Sequence, residues 1–277
     1  MRHYKLEDEK TDVFESCFED VYEIFKNLPS SNHCKTTSNL SWHGGTTQDA
    51  LDMSEKGNGK AASEVMQVVE NIKRKMPFKF VSKNNFNFSD EGQCFDVGRV
   101  VSGEPEYWLD ASVFKPEEVL EIYINGCMHC GISTKTIRNR GAAIVAVIDI
   151  LSERYIIDAK FILSNDIPDF YVKHGYYNKQ AYIVDVPNTP LDIDLLTFMA
   201  SNPLFFRRIW FGWLEHTNER DEMGNYGTPN DLELAQKENV LYFGSSLHES
   251  FKESYFKDEI SSAEWVEKIV NTYMKGQ

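Results

Sequence analysis

The apolar positions along the chain follow both helical and strand spacing, and together they predict an α/β fold. In residues 11–28 they recur every three or four positions with acids between them, which predicts an amphipathic helix. Further helices are predicted after Thr46 and at residues 60–75. Residues 86–109 are predicted to be irregular with one or two short strands. Val119–Asn125 alternates and is β-branched, as a strand is.

The pattern after residue 118 predicts the element order β-α-β-β-α-α-β-α. Its long first helix, which Ser133 or Thr134 can cap, is apolar around most of its circumference and should pack on more than one side. We therefore expect a doubly wound sheet with helices on both faces over residues 116–277. Residues 1–115 are expected to form a smaller, mainly helical α+β region, which makes the whole chain an α/β protein.

The charge of the chain limits its partners. The 277 residues hold 29 basic and 43 acidic side chains, a formal charge of −14, which disfavours sequence-independent nucleic-acid binding. Two local clusters, Arg138 with Arg140 and Arg207 with Arg208, leave a specific phosphate contact open. No apolar run approaches the ~20 residues of a membrane span, and the five cysteines suit reduced thiols. A cytoplasmic protein with no membrane partner is expected.

Three turns after residue 118 follow or precede strands in a distinctive order. The strand Val119–Asn125 runs into Gly126, Thr189-Pro190-Leu191 follows the edge strand, and Gly227-Thr228-Pro229 precedes a later strand. The C-terminal half thus resembles the von Willebrand A-type domain family in layout. The resemblance implies a binding edge at the carboxyl end of the sheet.

The metal-ligand positions of that family are not preserved in this chain. Where the family has Asp-x-Ser-x-Ser, the chain reads Asn125-Gly126-Cys127-Met128-His129, and where the family has Asp-Gly it reads Gly244-Ser245. Only Asn125 and Thr228 retain the oxygen atoms that Mg²⁺ prefers. The sequence therefore predicts a degenerate metal-ion-dependent adhesion site, with no cofactor, whose binding edge carries Asn125, Cys127, His129, Thr228 and Arg140.

A second resemblance covers nearly the whole chain. Its motifs are Trp42-His43-Gly44, Asp96-Val97-Gly98-Arg99, Arg140-Gly141-Ala142-Ala143 and Asn202-Pro203 followed by Arg207-Arg208. They are similar to those of an uncharacterised protein family common in tailed bacteriophages and some bacteria. The resemblance implies a phage origin, the host cytoplasm as location, and no assigned activity.

Cys127, His129 and Cys130 form the most site-like cluster in the sequence. Thiolate and imidazole are zinc ligands, so these three residues are the candidate metal site. A structural zinc needs four ligands, and no second Cys-x-x-Cys stands elsewhere in the chain, so buried or unliganded cysteines are favoured over zinc.

Five smaller features are expected to have structural roles or simple contacts. The turn at Gly44 and Gly45 is expected to lead into a helix rather than to bind an anion. Gly141 is expected to pack closely against a strand. Arg140 is expected to reach Glu104 or Glu106, or an acid of a partner. The acids Asp192 and Asp194 are expected to cap a helix, and residues 245–248 to lie at the surface.

The function that these observations favour is a phage-encoded protein-interaction module whose partner is a phage or host protein. The first alternative is a zinc-type hydrolase that uses the loop from Asn125 to Cys130. The second is nucleic-acid binding through Arg138 and Arg140. Whether the chain is an enzyme stays open at this point, with a non-enzymatic protein favoured.

Overall fold

The computed structural model describes residues 1–5, 11–56, 59–75, 88–89, 94–95, 97–109, 118–152, 154–167, 178–186, 192–217, 226, 228–232, 240–249 and 251–274. The strands are β1 (Arg2–Lys5), β2 (Thr11–Cys17), β3 (Phe88–Ser89), β4 (Cys94–Phe95), β5 (Trp108–Leu109), β6 (Val119–Asn125), β7 (Ile156–Ile167), β8 (Asn178–Asp185), β9 (Thr228–Pro229) and β10 (Val240–Phe243). The helices are α1 (Phe18–Asn27), α2 (Leu40–His43), α3 (Thr47–Lys56), α4 (Gly59–Lys75), α5 (Val97–Val101), α6 (Thr134–Ser152), α7 (Ile193–Ser201), α8 (Phe211–Thr217) and α9 (Glu259–Met274).

A mixed seven-stranded sheet forms the centre of the molecule. Its order is β1-β2-β8-β7-β6-β10, and β9 pairs with β7. Strands β7, β6 and β10 are parallel to one another, whereas β8 is antiparallel to β7. A separate small sheet has the order β3-β5-β4. The predicted α/β class is confirmed, and the elements from β6 onward follow the predicted order except for the two-residue strand β9, which was not predicted.

The single helix predicted at residues 11–28 is wrong in its first half, where the chain forms β2 before α1 begins at Phe18. Strand β2 pairs with β1 on one side and with β8 on the other, and its first four residues are all buried. A strand buried on both faces does not alternate, so its apolar run merged with the stripe of the following helix.

The sheet extends across the predicted boundary at residue 115, because β1 and β2 belong to the same sheet as the later strands. Helix α4 of the N-terminal region also packs against α6 and α9. The division into two domains stays a prediction, but the two regions share one sheet and one hydrophobic core.

Helices cover one face of the sheet. The buried apolar side chains of the described helices belong to one core, which they share with Ile122, Ile124, Phe161 and Leu163 of the central strands. On the opposite face, strand residues form a smaller cluster with Leu232. Within the described ranges, then, helices on both faces are not observed, and the doubly wound arrangement stays a prediction.

Helix α6 lies in the middle of this core and packs closely on α7. A Cβ added at Gly141 would lie 2.5 Å from the Ala200 carbonyl oxygen and 2.5 Å from Ser201 Cα. The glycine is therefore required by a helix–helix contact, and the strand contact expected from the sequence is wrong. At the α6–α7 crossing the backbone of α7 lies so close to Gly141 that a side chain at this position would overlap it.

Several predicted helix starts are confirmed. Thr46 Oγ1 accepts from the Asp49 N–H at 3.0 Å while the Asp49 carboxylate accepts from the Thr46 N–H, a reciprocal cap at the start of α3. Asp192 caps α7 by accepting from the Leu195 N–H at 2.9 Å. The predicted turn Thr189-Pro190-Leu191 lies outside the described residues, and so does Gly227.

None of the helices among the described residues has both the length and the apolar composition of a membrane span.

Candidate functional site

A cleft of about 410 Å³ lies at the carboxyl end of β6. One side is the loop from Gly126 to Cys130, together with Asn165 of β7 and Thr228 of β9. The other side is the N-terminal segment that carries Trp42. A volume of this size is typical of sites that bind a small molecule or a few side chains.

The length of β7 places Thr228 in the cleft. Strand β6 ends at Asn125, which pairs with Ile162, but β7 continues to Ile167. Its extension pairs with β9, where Asp166 is opposite Thr228. Thr228 therefore lies in line beyond the end of β6. The structure brings Cys127, His129 and Thr228 around one cleft, while Asn125 and Arg140 are not among the described lining residues.

The side chain of Asn125 is fully buried and is bonded within the protein. Its Nδ2 lies 2.7 Å from the Asn230 carbonyl oxygen and 3.1 Å from both Asp231 Oδ1 and the Tyr242 hydroxyl. Its Oδ1 accepts from the Cys127 N–H at 3.0 Å. The amide joins the ends of β6 and β10 to the segment that follows β9.

Asp231 is the carboxylate of this network. Its Oδ1 accepts from the Tyr242 hydroxyl at 2.6 Å and from the Ser245 N–H at 2.7 Å, and its Oδ2 accepts from Ser245 Oγ at 2.8 Å. Burial, with the Asp231 carboxylate beside it, raises the pKa of Tyr242. Both carboxylate oxygens are thus already occupied by donors from the protein.

Ser245 is fully buried, so the surface position predicted for it is wrong. The sequence pattern did not reveal the role of Asp231, Tyr242 or Ser245. The signal that was present is positional: Asp231 follows the turn at Thr228, and Ser245 follows a buried parallel strand, so both come at the carboxyl edge of the sheet.

Arg140 is buried beneath the same edge, with 3% of its surface exposed. Its Nη2 lies 3.1 Å from the Asn125 carbonyl oxygen and 2.8 Å from that of Gly244, which links the ends of β6 and β10. The expected contact with Glu104 or Glu106 is wrong, because Arg99 pairs with Glu104 and donates to the Glu106 carbonyl. Arg138 is exposed on the same helix, so the two arginines do not form one basic patch.

The three candidate zinc ligands lie in different environments. Cys127 is buried, with 2% of its surface exposed, and burial raises the pKa of its thiol well above the usual value. His129 and Cys130 are exposed at the mouth of the cleft. Across the described residues, no three His, Cys, Asp or Glu side chains are grouped so that they could hold a metal.

Aromatic rings line much of the cleft. Phe211 and Tyr226 stack with centroids 3.5 Å apart and planes 4° apart, and Trp42 stacks on Phe211 at 6.1 Å. The Arg207 guanidinium lies 4.3 Å from the Trp42 ring. Trp42 is half-buried and donates to the Cys130 carbonyl oxygen at 3.1 Å, so it forms a wall of the cleft and ties that wall to the loop after β6.

Two buried charged residues bind the N-terminal segment that carries Trp42, which we call the N-terminal wall of the cleft. Arg208, fully buried, donates to the carbonyl oxygens of Gly45 and Cys34 at 2.9 and 2.8 Å. Glu215, 1% exposed, accepts from Asn32 Nδ2 and from the Cys34 N–H, both at 2.8 Å. Arg207 is buried as well. The surface basic cluster predicted for Arg207 and Arg208 is therefore wrong, because both guanidiniums bind backbone carbonyls.

His43 is an uncharged residue that lines the cleft. It is 4% exposed, and its Nδ1 donates to the Arg207 carbonyl oxygen at 3.0 Å. Burial, aided by the nearby charge of Arg208, lowers the pKa of His43 to about 4. The imidazole is therefore uncharged at neutral pH and serves as a fixed hydrogen-bond donor.

Two lining residues carry polar atoms without a partner. The indole Nε1 of Trp210 and the Oδ1 of Asn165 are buried, and neither has a hydrogen bond to the described residues. The Asn165 Nδ2 is used, since it donates to the Tyr226 carbonyl oxygen. An unused donor and an unused acceptor thus belong to the residues around the cleft.

The described lining residues include no Asp or Glu. Their titratable side chains are those of His33, His43, Cys127, His129, Cys130, Arg207 and Tyr226. The Asp231 carboxylate is occupied by internal donors. The buried thiol of Cys127 stays protonated, because its pKa is raised.

A family model described as a domain of unknown function (DUF7192) matches residues 6–275 of the chain. The match spans every strand of the seven-stranded sheet except β1, and it includes the N-terminal segment that lines the cleft. No curated protein and no solved structure matches the chain.

Proposed function

The chain belongs to the DUF7192 family, and from the chemistry of the cleft we propose that it is a non-enzymatic binding module for a protein partner. The cleft at the end of β6 is the binding site, and binding needs no metal ion. One observation carries the proposal: at the position of the expected metal site, the Asn125 amide and the Asp231 carboxylate bond to each other and to the protein.

The mutual bonding of these two groups supports the proposal because a metal needs free lone pairs. A divalent cation would have to displace Ser245 and Tyr242 from the carboxylate. The resemblance to a von Willebrand A-type domain with altered ligand positions agrees with this interpretation. In the proposal the binding edge is kept while the metal is replaced by hydrogen bonds within the protein.

The composition of the cleft supports a protein ligand. Half-buried aromatic rings beside scattered polar groups are typical of surfaces that hold side chains of a partner. The resemblance to a tailed-bacteriophage family adds that the partner is a phage or host protein, met in the host cytoplasm. Zinc-type hydrolysis and nucleic-acid binding are less well supported, since Cys127 and Arg140 are both buried.

A peptide-display selection tests the proposal. A library of random heptapeptides is selected on the protein in EDTA, and the enriched peptides are then tested on two variants. Thr228→Trp fills the mouth of the cleft, and Thr272→Trp makes the same change at an exposed position on α9. We expect enriched peptides that bind the wild type and Thr272→Trp but not Thr228→Trp. Peptides that bind only when a divalent ion is present, or that bind Thr228→Trp as well as the wild type, would refute the proposal.

A further inference from the structure

We propose that the cleft takes an acidic peptide segment that carries an aromatic side chain. This inference rests on the proposed function and specifies its ligand. Three independent features of the cleft support it: the charge of its lining, its stacked rings, and its two unpartnered polar atoms.

The charge of the cleft is opposite to that of the chain. The whole sequence has 43 acidic residues, yet the described lining contains none and includes Arg207, His33 and His129. Arg207 is 4% exposed, and its guanidinium donates to the carbonyl oxygens of Trp42 and Ile132. Within the described ranges no carboxylate pairs with it. A buried cation without a counter-charge stabilises an anion placed nearby.

The stacked rings provide a surface for another ring. Phe211 and Tyr226 are parallel and in contact, and Trp42 stacks on Phe211 with ring centroids 6.1 Å apart. Trp42 and Tyr226 are both half-buried lining residues, so part of each residue remains accessible. Aromatic side chains of a ligand gain both burial and ring–ring contact on such a surface.

The unpartnered atoms fit a peptide unit. Trp210 Nε1 is a donor and Asn165 Oδ1 is an acceptor. A peptide group offers the complementary pair, a carbonyl oxygen and an N–H. A ligand that has an anionic group but no N–H would leave Asn165 Oδ1 without a donor. An unsatisfied buried acceptor costs binding free energy. The combination of charge, ring and amide therefore favours an acidic peptide.

The test compares three tripeptides by calorimetry at 150 mM salt: acetyl-Glu-Phe-Glu-amide, its Gln-Phe-Gln counterpart and its Lys-Phe-Lys counterpart. The cleft predicts that the Glu peptide binds about fivefold or more tighter than the Gln peptide, with the Lys peptide weakest. The net charge of −14 alone predicts the reverse order. Tighter binding of the Gln or Lys peptide would overturn the inference. So would equal or tighter binding of adenosine monophosphate, which has a ring and a charge but no peptide unit.

Two tryptophan variants test the role of the unpartnered donor. Trp210→Phe removes the buried, unpartnered N–H of a residue that lines the cleft, and Trp213→Phe removes a buried, unpartnered N–H of a residue that does not line it. We expect Trp210→Phe to weaken the Glu peptide about threefold to tenfold, and Trp213→Phe to leave its affinity unchanged. Equal effects of the two variants would overturn the role given to Trp210.

The outcomes separate the inference from the proposed function. If the Gln or Lys peptide binds best and Thr228→Trp abolishes that binding, the cleft binds peptides and only the acidic preference is wrong. If none of the three peptides depends on Thr228, the inference is overturned, and the display selection alone decides whether the cleft binds other segments.

Discussion

The Asn125 amide donates to the Asp231 carboxylate, with 3.1 Å between Nδ2 and Oδ1. The two residues are 106 positions apart in the sequence, and they join the end of β6 to the segment after β9. Asn125 stands where the resembled family has a metal-binding Asp, and its hydrogen bond to Asp231 takes the place of a metal contact. An amide can donate to an ionised carboxylate without a cation between them, whereas two ionised carboxylates at this distance repel each other.

The first prediction concerns this pair. Asn125→Asp places two carboxylates side by side and removes a donor, so the free energy of unfolding should fall by about 3 kcal/mol at neutral pH. In the folded variant, repulsion between the two carboxylates raises the pKa of one of them, so that they share a proton at low pH. The loss of stability should therefore be small at low pH and should grow as the pH rises.

Chemical denaturation at several pH values measures this effect, and a double variant provides the control. Asn125→Asp with Asp231→Asn restores one amide and one carboxylate in exchanged positions. It should recover part of the stability that Asn125→Asp loses. If the double variant is as unstable as the sum of the two single variants, the Asn125–Asp231 contact is not the cause.

The second prediction separates two arginines on α6. Arg140→Ala leaves the carbonyls of Asn125 and Gly244 without a donor and should cost about 3 kcal/mol or more. Arg138→Ala, at an exposed position two residues earlier, should cost no more than about 0.5 kcal/mol. Urea denaturation of both variants measures the difference. Similar small effects would contradict the buried role of Arg140.

The third prediction concerns whether Gly141→Ala raises or lowers the stability of the protein. Helix propensity alone predicts that Gly141→Ala stabilises α6 by about 1 kcal/mol. The contact with the Ala200 carbonyl oxygen predicts the opposite, a loss of about 1–3 kcal/mol, because backbone atoms cannot move aside as a side chain can. Thermal unfolding of the variant decides between the two, and a higher melting temperature would rule out the close α6–α7 contact.

The fourth prediction follows from the lowered pKa of His43. The pKa of this imidazole is about 4 in the folded protein and about 6.5 in an unfolded chain. Between these values the unfolded state binds the extra proton, so stability falls as the pH drops from 6.5 to 4, by an amount on the order of 2 kcal/mol. His43→Asn keeps a donor for the Arg207 carbonyl but does not titrate. Its stability should depend less on pH over this range, and an unchanged slope would contradict the assignment.

The fifth prediction concerns the two thiols near the cleft. Cys130 is exposed and should react with a thiol reagent in the folded protein, whereas Cys127 is buried and should react only after unfolding. Mass spectrometry of the labelled peptides identifies each site, and Cys130→Ser should remove the early reaction at this loop. Protection of both thiols that is lost on adding a chelator would instead indicate a bound metal.

The elements from β6 onward could be predicted because their signals are local. Val119–Asn125 alternates and is β-branched, and Asp192 stands where a helix cap is expected. The start of the chain could not be predicted this way. Strand β2 is buried by β1 and β8, and β8 lies more than 160 residues away in the sequence, so tertiary pairing overrode a local helical pattern.

The candidate site was predictable only in part for the same reason. The edge of the sheet follows from strand direction, which explains why Cys127, His129 and Thr228 line one cleft. The N-terminal wall does not follow from any local pattern. It depends on Arg208 and Glu215, which bond to segments more than 160 residues earlier in the chain. In the sequence, these two residues resemble surface charges.

The most direct measurement is a calorimetric titration of the strongest display-selected peptide. It is carried out with the wild type in EDTA, with the wild type in excess Mg²⁺ or Zn²⁺, and with Thr228→Trp and Thr272→Trp in EDTA. The proposed module predicts equal affinity in the first two conditions, loss of binding in Thr228→Trp, and unchanged binding in Thr272→Trp. Binding that appears only when a metal is added, or that survives in Thr228→Trp, would contradict a metal-independent site in the cleft beyond β6.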